Sequence, residues 1–352
     1  MPGEKGVDHP GWIKNCHWVY VMRSEHLNKP RHPGLVQRFW TNRRNHAPQR
    51  AVPAKVQLFR LGEAWLGVPF VVAVAWSLTV ATTLRRVDEW DRFRQLRARL
   101  PHRLRTHRSS LLYYGRMLFS WHAGHCLSLL YDRLGDPRWA RRIVFRGHDP
   151  LAGRGRDQPV ILAFLHVGAT LGSIPLMRSK GYPFIGFVAA EMPFMRKCLE
   201  HIVKRGDDRY HLTGIPVAVV GRGRSQVLGI SRALKAHGIV AMSMDGFEGP
   251  PQFKLPAGGG EIGLHNGAIR LAIAHGALLV PFTVRDSGLL RYEMVCGRPV
   301  PQSVLEAGDI EAAARHLVDE IVPLVEGRLG GLHWTAMEAF CDGVRCDRRI
   351  WP

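Results

Sequence analysis

The sequence predicts an α/β protein in which helices flank a largely parallel mixed sheet, preceded by an N-terminal apolar anchor helix. Three observations lead to this fold class. An apolar run over 160–165 is typical of a buried parallel strand. Strand-like and helix-like segments alternate from there to Val284, which favours parallel strands joined by helices. An uncharged stretch over 64–82 is close to the length needed to cross a bilayer, about 20 residues.

Composition fits a folded, basic protein. The chain has 352 residues, 46% of them hydrophobic, and a formal net charge of +20 that comes mostly from arginine. A chain of this length can bury a large core, and its charge predicts anionic partners such as phospholipid headgroups, an acidic carrier protein or nucleic acid. The six cysteines are scattered, which indicates a reducing compartment.

The N-terminal third divides into two predicted parts. Residues 1–55 form a basic leader without an apolar core, and we expect it to be weakly ordered. Residues 56–110 combine the apolar anchor helix, which has a tryptophan toward each end, with an arginine-rich juxtamembrane segment. The bilayer-spanning, the shallowly inserted and the buried core-helix interpretations all stay open, and the adjoining arginines favour an anionic membrane surface.

The remaining chain is predicted as one α/β domain over 111–340 and a short tail over 341–352. A helix over 111–134 comes first. Strands are then predicted over 159–165, 183–189, 217–220, 239–244, 277–284 and 290–295, with helices between most of them and a last helix from Asp309. Gly258, Gly259 and Gly260 are interpreted as a flexible loop.

Candidate site residues follow the ends of two predicted parallel strands. His166 closes the strand over 159–165, and Asp245-Gly246 closes the strand over 239–244. Ligands bind at the carboxyl ends of strands in open α/β sheets, so we expect His166 and Asp245 to share a site. Turn formation by Asp-Gly and a structural role for a single histidine are the competing interpretations.

Basic residues near the same edge are candidates for binding an anion. Arg222 and Arg224 precede a predicted helix, where a phosphate binds readily, and Lys254 is a further anion contact. Solvated loop arginines are an equal alternative. The chain contains no His-Glu-x-x-His motif, no paired Cys-x-x-Cys motif and no phosphate loop, so we predict no metal and no cofactor.

The order of His166, Asp245-Gly246 and Val280-Pro281 along the chain resembles the lysophospholipid acyltransferase superfamily, and most closely the lipid A biosynthesis (late) acyltransferases. The resemblance covers about residues 111–340. It implies a histidine general base that activates a hydroxyl for attack on an acyl thioester, with Asp245 and Gly246 in the second acidic block. The family's catalytic dyad has the pattern His-x4-Asp/Glu, in which four residues separate the histidine from the acid. The position of that acid is occupied by Leu171 here. Asp245, Glu191 and Thr170 are the candidates to orient the ring instead, and Asp245 is favoured.

The resemblance implies a membrane-associated acyltransferase at the cytoplasmic side of the inner membrane. Its partners would be an acyl-carrier protein or acyl-CoA donor and a lipid or glycolipid acceptor. Because Leu171 replaces the dyad acid, a catalytically impaired lipid-binding or scaffold protein is the alternative. A basic nucleic-acid binder ranks below both, since no zinc finger, aromatic RNA-binding motif or recognition helix is evident.

Overall fold

The computed structural model has a six-stranded mixed sheet as its centre. The strand order is β1-β6-β3-β9-β10-β2, and the pairs β6·β3, β3·β9 and β10·β2 are parallel whereas β1·β6 and β9·β10 are antiparallel. The predicted α/β class with a largely parallel mixed sheet is therefore confirmed. The structure describes residues 19–22, 54–85, 87–104, 109–130, 137–147, 158–167, 187–189, 218–220, 224–235, 238–245, 251–325, 337 and 339–341.

The strands have the following bounds. In chain order they are β1 Val19–Met22, β2 Ile143–Gly147, β3 Val160–Phe164, β4 Phe187–Ala189, β5 Ala218–Val220, β6 Ile239–Ser243, β7 Phe253–Ala257, β8 Gly260–Leu264, β9 Leu278–Gly288 and β10 Arg291–Cys296. Strands β4 and β5 form a separate parallel pair, and β7 and β8 form an antiparallel hairpin.

The helices have the following bounds. They are α1 Ala54–Leu66, α2 Val68–Arg85, α3 Val87–Arg99, α4 Ser110–Leu129, α5 Pro137–Ala140, α6 Arg224–Lys235, α7 Gly267–His275, α8 Gln302–Glu306 and α9 Ile310–Val325, with one 3₁₀ turn at His102–Leu104. Helix α9 begins after Asp309, whose carboxylate accepts a hydrogen bond from the Ala312 N–H at 2.9 Å.

Strand β3 is buried on both faces, as its continuous apolar run predicts. Ile161 and Ala163 belong to one hydrophobic cluster, and Leu162 and Phe164 belong to a second cluster on the other face. Helices α6, α7 and α9 contribute to the first cluster, while α2 and the C-terminal half of α4 contribute to the second. The sheet is thus covered on both sides, which leaves its strand ends for a site.

Three local features differ from the sequence predictions. Strand β1 lies inside the segment predicted as a weakly ordered leader and pairs with β6. The predicted loop at Gly258 is the tight turn of the β7–β8 hairpin: Gly258 and Gly259 have φ angles of 58° and 87°, which glycine adopts without strain, and Gly260 already belongs to β8. The predicted anchor helix over 64–82 is interrupted at Gly67, whose φ is 65°, so that its first residues belong to α1.

Helix α2 is the one described helix that could cross a membrane on length and composition. It has 18 residues with a mean hydropathy of 1.5, and 17% of the segment is buried inside the structure. A core helix of a soluble protein can pass the same criterion, so this property alone does not decide where the helix lies.

Candidate active site

The register between β3 and β6 places His166 and Asp245 beside each other. Phe164 on β3 is paired with Ser243 on β6. His166 and Asp245 each lie two residues beyond that pair, so the parallel strands bring them to the same level of the sheet edge and, because side chains alternate, to the same face. The predicted proximity of these two residues is confirmed by the structure.

The Asp245 carboxylate contacts His166 at two points. Its Oδ1 lies 2.8 Å from the ring Nδ1, and its Oδ2 accepts a hydrogen bond from the His166 backbone N–H, also at 2.8 Å. Because Asp245 bonds both the ring and the backbone of His166, it fixes the rotation of the imidazole as well as its position. Both residues are buried, with exposed fractions of 8% for His166 and 2% for Asp245.

The end of the parallel ladder explains why the carboxylate is available for this contact. The Met244 N–H donates to the Phe164 carbonyl at 2.8 Å, as a continuing parallel ladder requires. The next bond would join the His166 N–H to the Met244 carbonyl, but that carbonyl accepts from the His265 N–H at 2.8 Å. The Asp245 side chain accepts the hydrogen bond from the His166 N–H in place of that carbonyl. The backbone of His265, which follows the β7–β8 hairpin, thus helps to end the ladder at this point. Sequence reasoning did not identify His265.

The hydrogen-bond chemistry assigns the ring tautomer. A carboxylate can only accept hydrogen bonds, so the contact places a proton on Nδ1 of His166 and leaves Nε2 as the nitrogen that can take a further proton. When Nε2 is protonated, the nearby carboxylate stabilises the imidazolium. The Phe164 ring also packs edge-on against the imidazole, at a centroid distance of 5.6 Å. The His166–Asp245 pair can therefore act as a positioned base.

The other candidate residues are placed as follows. Lys254 lies on β7 opposite Gly263 and has an exposed side chain. Arg224 is the first residue of α6, while Arg222, Gly246 and the alternative ring partners Thr170 and Glu191 lie outside the described residues, as does Leu171. Within the described ranges, no group of three or more His, Cys, Asp or Glu side chains is arranged to hold a metal ion.

Comparisons with known proteins add no family assignment. A scan against protein-family models found no match, and a search of curated protein sequences found none either.

Proposed function

We propose that this protein is a membrane-associated acyltransferase that moves a fatty acyl chain from an acyl thioester to a hydroxyl of a lipid or glycolipid. The observation that carries the proposal is the two-point contact between Asp245 and His166. A buried histidine held by a carboxylate is the arrangement that general-base activation of a hydroxyl requires. The reaction class is proposed from the resemblance of the sequence to the lysophospholipid acyltransferase superfamily and to its lipid A biosynthesis branch.

The proposed reaction proceeds in two steps. His166 Nε2 takes the proton of the acceptor hydroxyl as the oxygen attacks the thioester carbonyl, and Asp245 stabilises the resulting imidazolium. The tetrahedral intermediate then collapses, the carbon–sulfur bond breaks, and the imidazolium returns the proton to the departing thiolate. The products are an ester and a free thiol. Because the thioester is already activated, this scheme needs no metal and no cofactor.

Asp245 can take the role of the dyad acid that Leu171 replaces. In the proposed site the acid comes from the end of the neighbouring strand β6, so position 171 need not supply it. A scaffold protein without chemistry would not require a carboxylate on the imidazole. The contact of 2.8 Å between Nδ1 and Oδ1 therefore favours the enzyme over the scaffold alternative.

Partners and location are part of the same proposal. Acyl-carrier protein and acyl-CoA are both anionic and suit a chain with a net charge of +20. Arg222, Arg224, Gly246 and Lys254 are the proposed substrate-binding residues. We place the catalytic domain on the cytoplasmic side of the inner membrane. Cys126, Cys296 and Cys341 are buried thiols, which agrees with a reducing compartment.

The test is acyl transfer by the purified full-length protein in lipid vesicles. Labelled palmitoyl-CoA and labelled palmitoyl-acyl-carrier protein would be supplied in turn, with extracted membrane lipid as acceptor. His166→Ala should reduce the rate by about 10²–10⁴-fold. His275→Ala is the matched control, because that histidine bonds Ser231 between α6 and α7 and has no role in the proposed reaction. An unchanged rate in His166→Ala, or no transfer by the wild type from either donor, would contradict the proposal.

A further inference from the structure

We infer that the protein docks on an anionic bilayer through one apolar surface of α1 and α2, and that α2 lies in the plane of the membrane instead of crossing it. The inference rests on the membrane association of the proposed function but on none of its chemistry. The docking surface is defined by exposed residues on both helices: Leu58, Leu61, Trp65, Pro69, Ala73, Ser77, Val80 and Leu84.

Helix α1 exposes an apolar stripe to solvent. Leu58, Leu61 and Trp65 recur at intervals of three and four residues, so they lie on one helical face, and their exposed fractions are 66%, 57% and 86%. Three large apolar side chains on one exposed face are costly in water, which marks the face as a contact surface.

The opposite side of α1 is fixed to the domain. Phe59 is buried there, and the fully buried Glu63 accepts a hydrogen bond from Trp139 Nε1 at 3.1 Å. The Phe59 and Phe70 rings also pack at a centroid distance of 5.7 Å, which joins α1 to α2. The apolar stripe is therefore held facing outward by contacts on the other side of the helix.

Helix α2 divides into an outer apolar face and an inner packed face. Its exposed residues from Pro69 to Leu84 are uncharged and follow helical spacing, and the first charge is Arg85. On the inner side, the buried Thr79 hydroxyl bonds the Ala75 carbonyl at 2.8 Å. Its polar group is satisfied within the helix, as an apolar environment requires.

Packing against α4 excludes a transmembrane position for α2 in this fold. The Trp76 and Phe119 rings lie 4.8 Å apart, and Thr82 Oγ1 lies 3.0 Å from His122 Nε2. From Tyr113 onward, no residue of α4 whose side chain is described is exposed, and α4 shares a buried cluster with β3, β6, β9 and β10. If α2 crossed the bilayer, α4 and the sheet would be drawn into hydrocarbon, where an open sheet cannot satisfy its backbone groups.

Charge selects an anionic bilayer as the occupant. Arg85 is exposed at the end of α2, and Arg94 and Arg99 are exposed on α3, which follows it. Basic residues beside a membrane are attracted to anionic lipid. A second copy of the chain is disfavoured, since it would bring two bodies of formal charge +20 together.

Spin labels along α2 distinguish the two orientations. Single cysteines at Pro69, Ser77 and Leu84 would be labelled in a chain whose Cys16, Cys198 and Cys346 are changed to serine, and their depth in phosphatidylcholine–phosphatidylglycerol vesicles measured. We expect all three labels at similar shallow depth, within about 10 Å of the headgroup boundary. A crossing helix would place Ser77 deepest and separate the labels at 69 and 84 by about 22 Å along the normal, and that result would overturn the inference.

Vesicle sedimentation tests the surface itself. Leu61→Ser combined with Trp65→Ser should weaken binding to the same vesicles by at least about 100-fold, from the apolar area lost, whereas Leu228→Ser, an exposed leucine on α6, should leave it unchanged. Unaltered binding in the double variant, or a change in oligomeric mass alone, would overturn the inference. His166→Ala should bind normally, so a failed reaction with intact docking would refute the chemistry only.

Discussion

Replacing the Asp245 carboxylate by an amide of the same shape should remove the base without removing the side chain. In Asp245→Asn only one of the two positions that contact His166 remains an acceptor, because the other becomes an NH₂ donor. If the amide oxygen still accepts the hydrogen bond from the His166 backbone N–H, the NH₂ group faces Nδ1. The ring proton is then favoured on Nε2, because Nδ1 must accept from that NH₂ group. The nitrogen that should accept the hydroxyl proton is then already protonated.

The structure gives the size of this effect. Both contacts are 2.8 Å long and buried, and a hydrogen bond to a charged group contributes about 1.5–3 kcal/mol to stability. The variant should lose about 1–3 kcal/mol of unfolding free energy and about 10²–10⁴-fold in kcat. Asp245 contacts His166 and is not among the proposed substrate-binding residues, so KM should change little.

The assay is initial-rate acyl transfer at saturating donor, with urea unfolding of the same preparations. Asp286→Asn is the matched control, since it makes the same chemical change in a largely buried carboxyl on β9. Activity of Asp245→Asn close to that of wild type would refute the reasoning. Equal losses in Asp245→Asn and Asp286→Asn would refute it as well, because they would indicate a general sensitivity of the fold.

Three further predictions concern the fold. Burial raises the pKa of Asp286 from 3.8 to about 6, so the folded state binds this proton more tightly than the unfolded chain and loses stability as pH rises through 6. Asp286→Asn should therefore raise the unfolding free energy at pH 8, measured in urea, by up to about 3 kcal/mol. An equal gain at pH 4 would contradict this prediction. Glu63→Ala leaves the buried Trp139 N–H without this acceptor and should cost about 1–3 kcal/mol in thermal unfolding, whereas a wild-type melting curve would rule out the contact. Gly147→Ala should destabilise the protein more than Gly276→Ala. Both glycines have positive φ, but an added Cβ at Gly147 would overlap the Cys296 carbonyl oxygen, whereas at Gly276 it would meet open space. The reverse order of unfolding free energies in urea would contradict this geometry.

The proximity of His166 and Asp245 could be predicted from sequence because both follow short apolar strands in an alternating α/β pattern. Parallel strands end at a common edge, and this rule needs no knowledge of individual contacts. The register that aligns Phe164 with Ser243 was beyond sequence reasoning, since it depends on packing between strands 79 residues apart.

The features that sequence reasoning missed have different physical causes. Strand β7 contains Pro256 and is followed by three glycines, a composition that favours a loop, yet pairing with β8 holds it as an edge hairpin. The interruption at Gly67 has a local signal that the length of the apolar run obscured: a left-handed glycine ends α1, and Pro69 lies in the first turn of α2. Strand β1 is four residues long and forms only by pairing with β6.

Nuclear magnetic resonance of ¹⁵N-labelled histidine tests the central claim most directly, with the His166 signals assigned by their loss in His166→Ala. For the neutral imidazole, we expect a proton bonded to Nδ1, no proton on Nε2, and a shift of that proton to Nε2 in Asp245→Asn. A neutral wild-type ring with its proton on Nε2 would contradict this expectation, because the basic nitrogen would then be Nδ1, which faces Asp245 and not the acceptor hydroxyl.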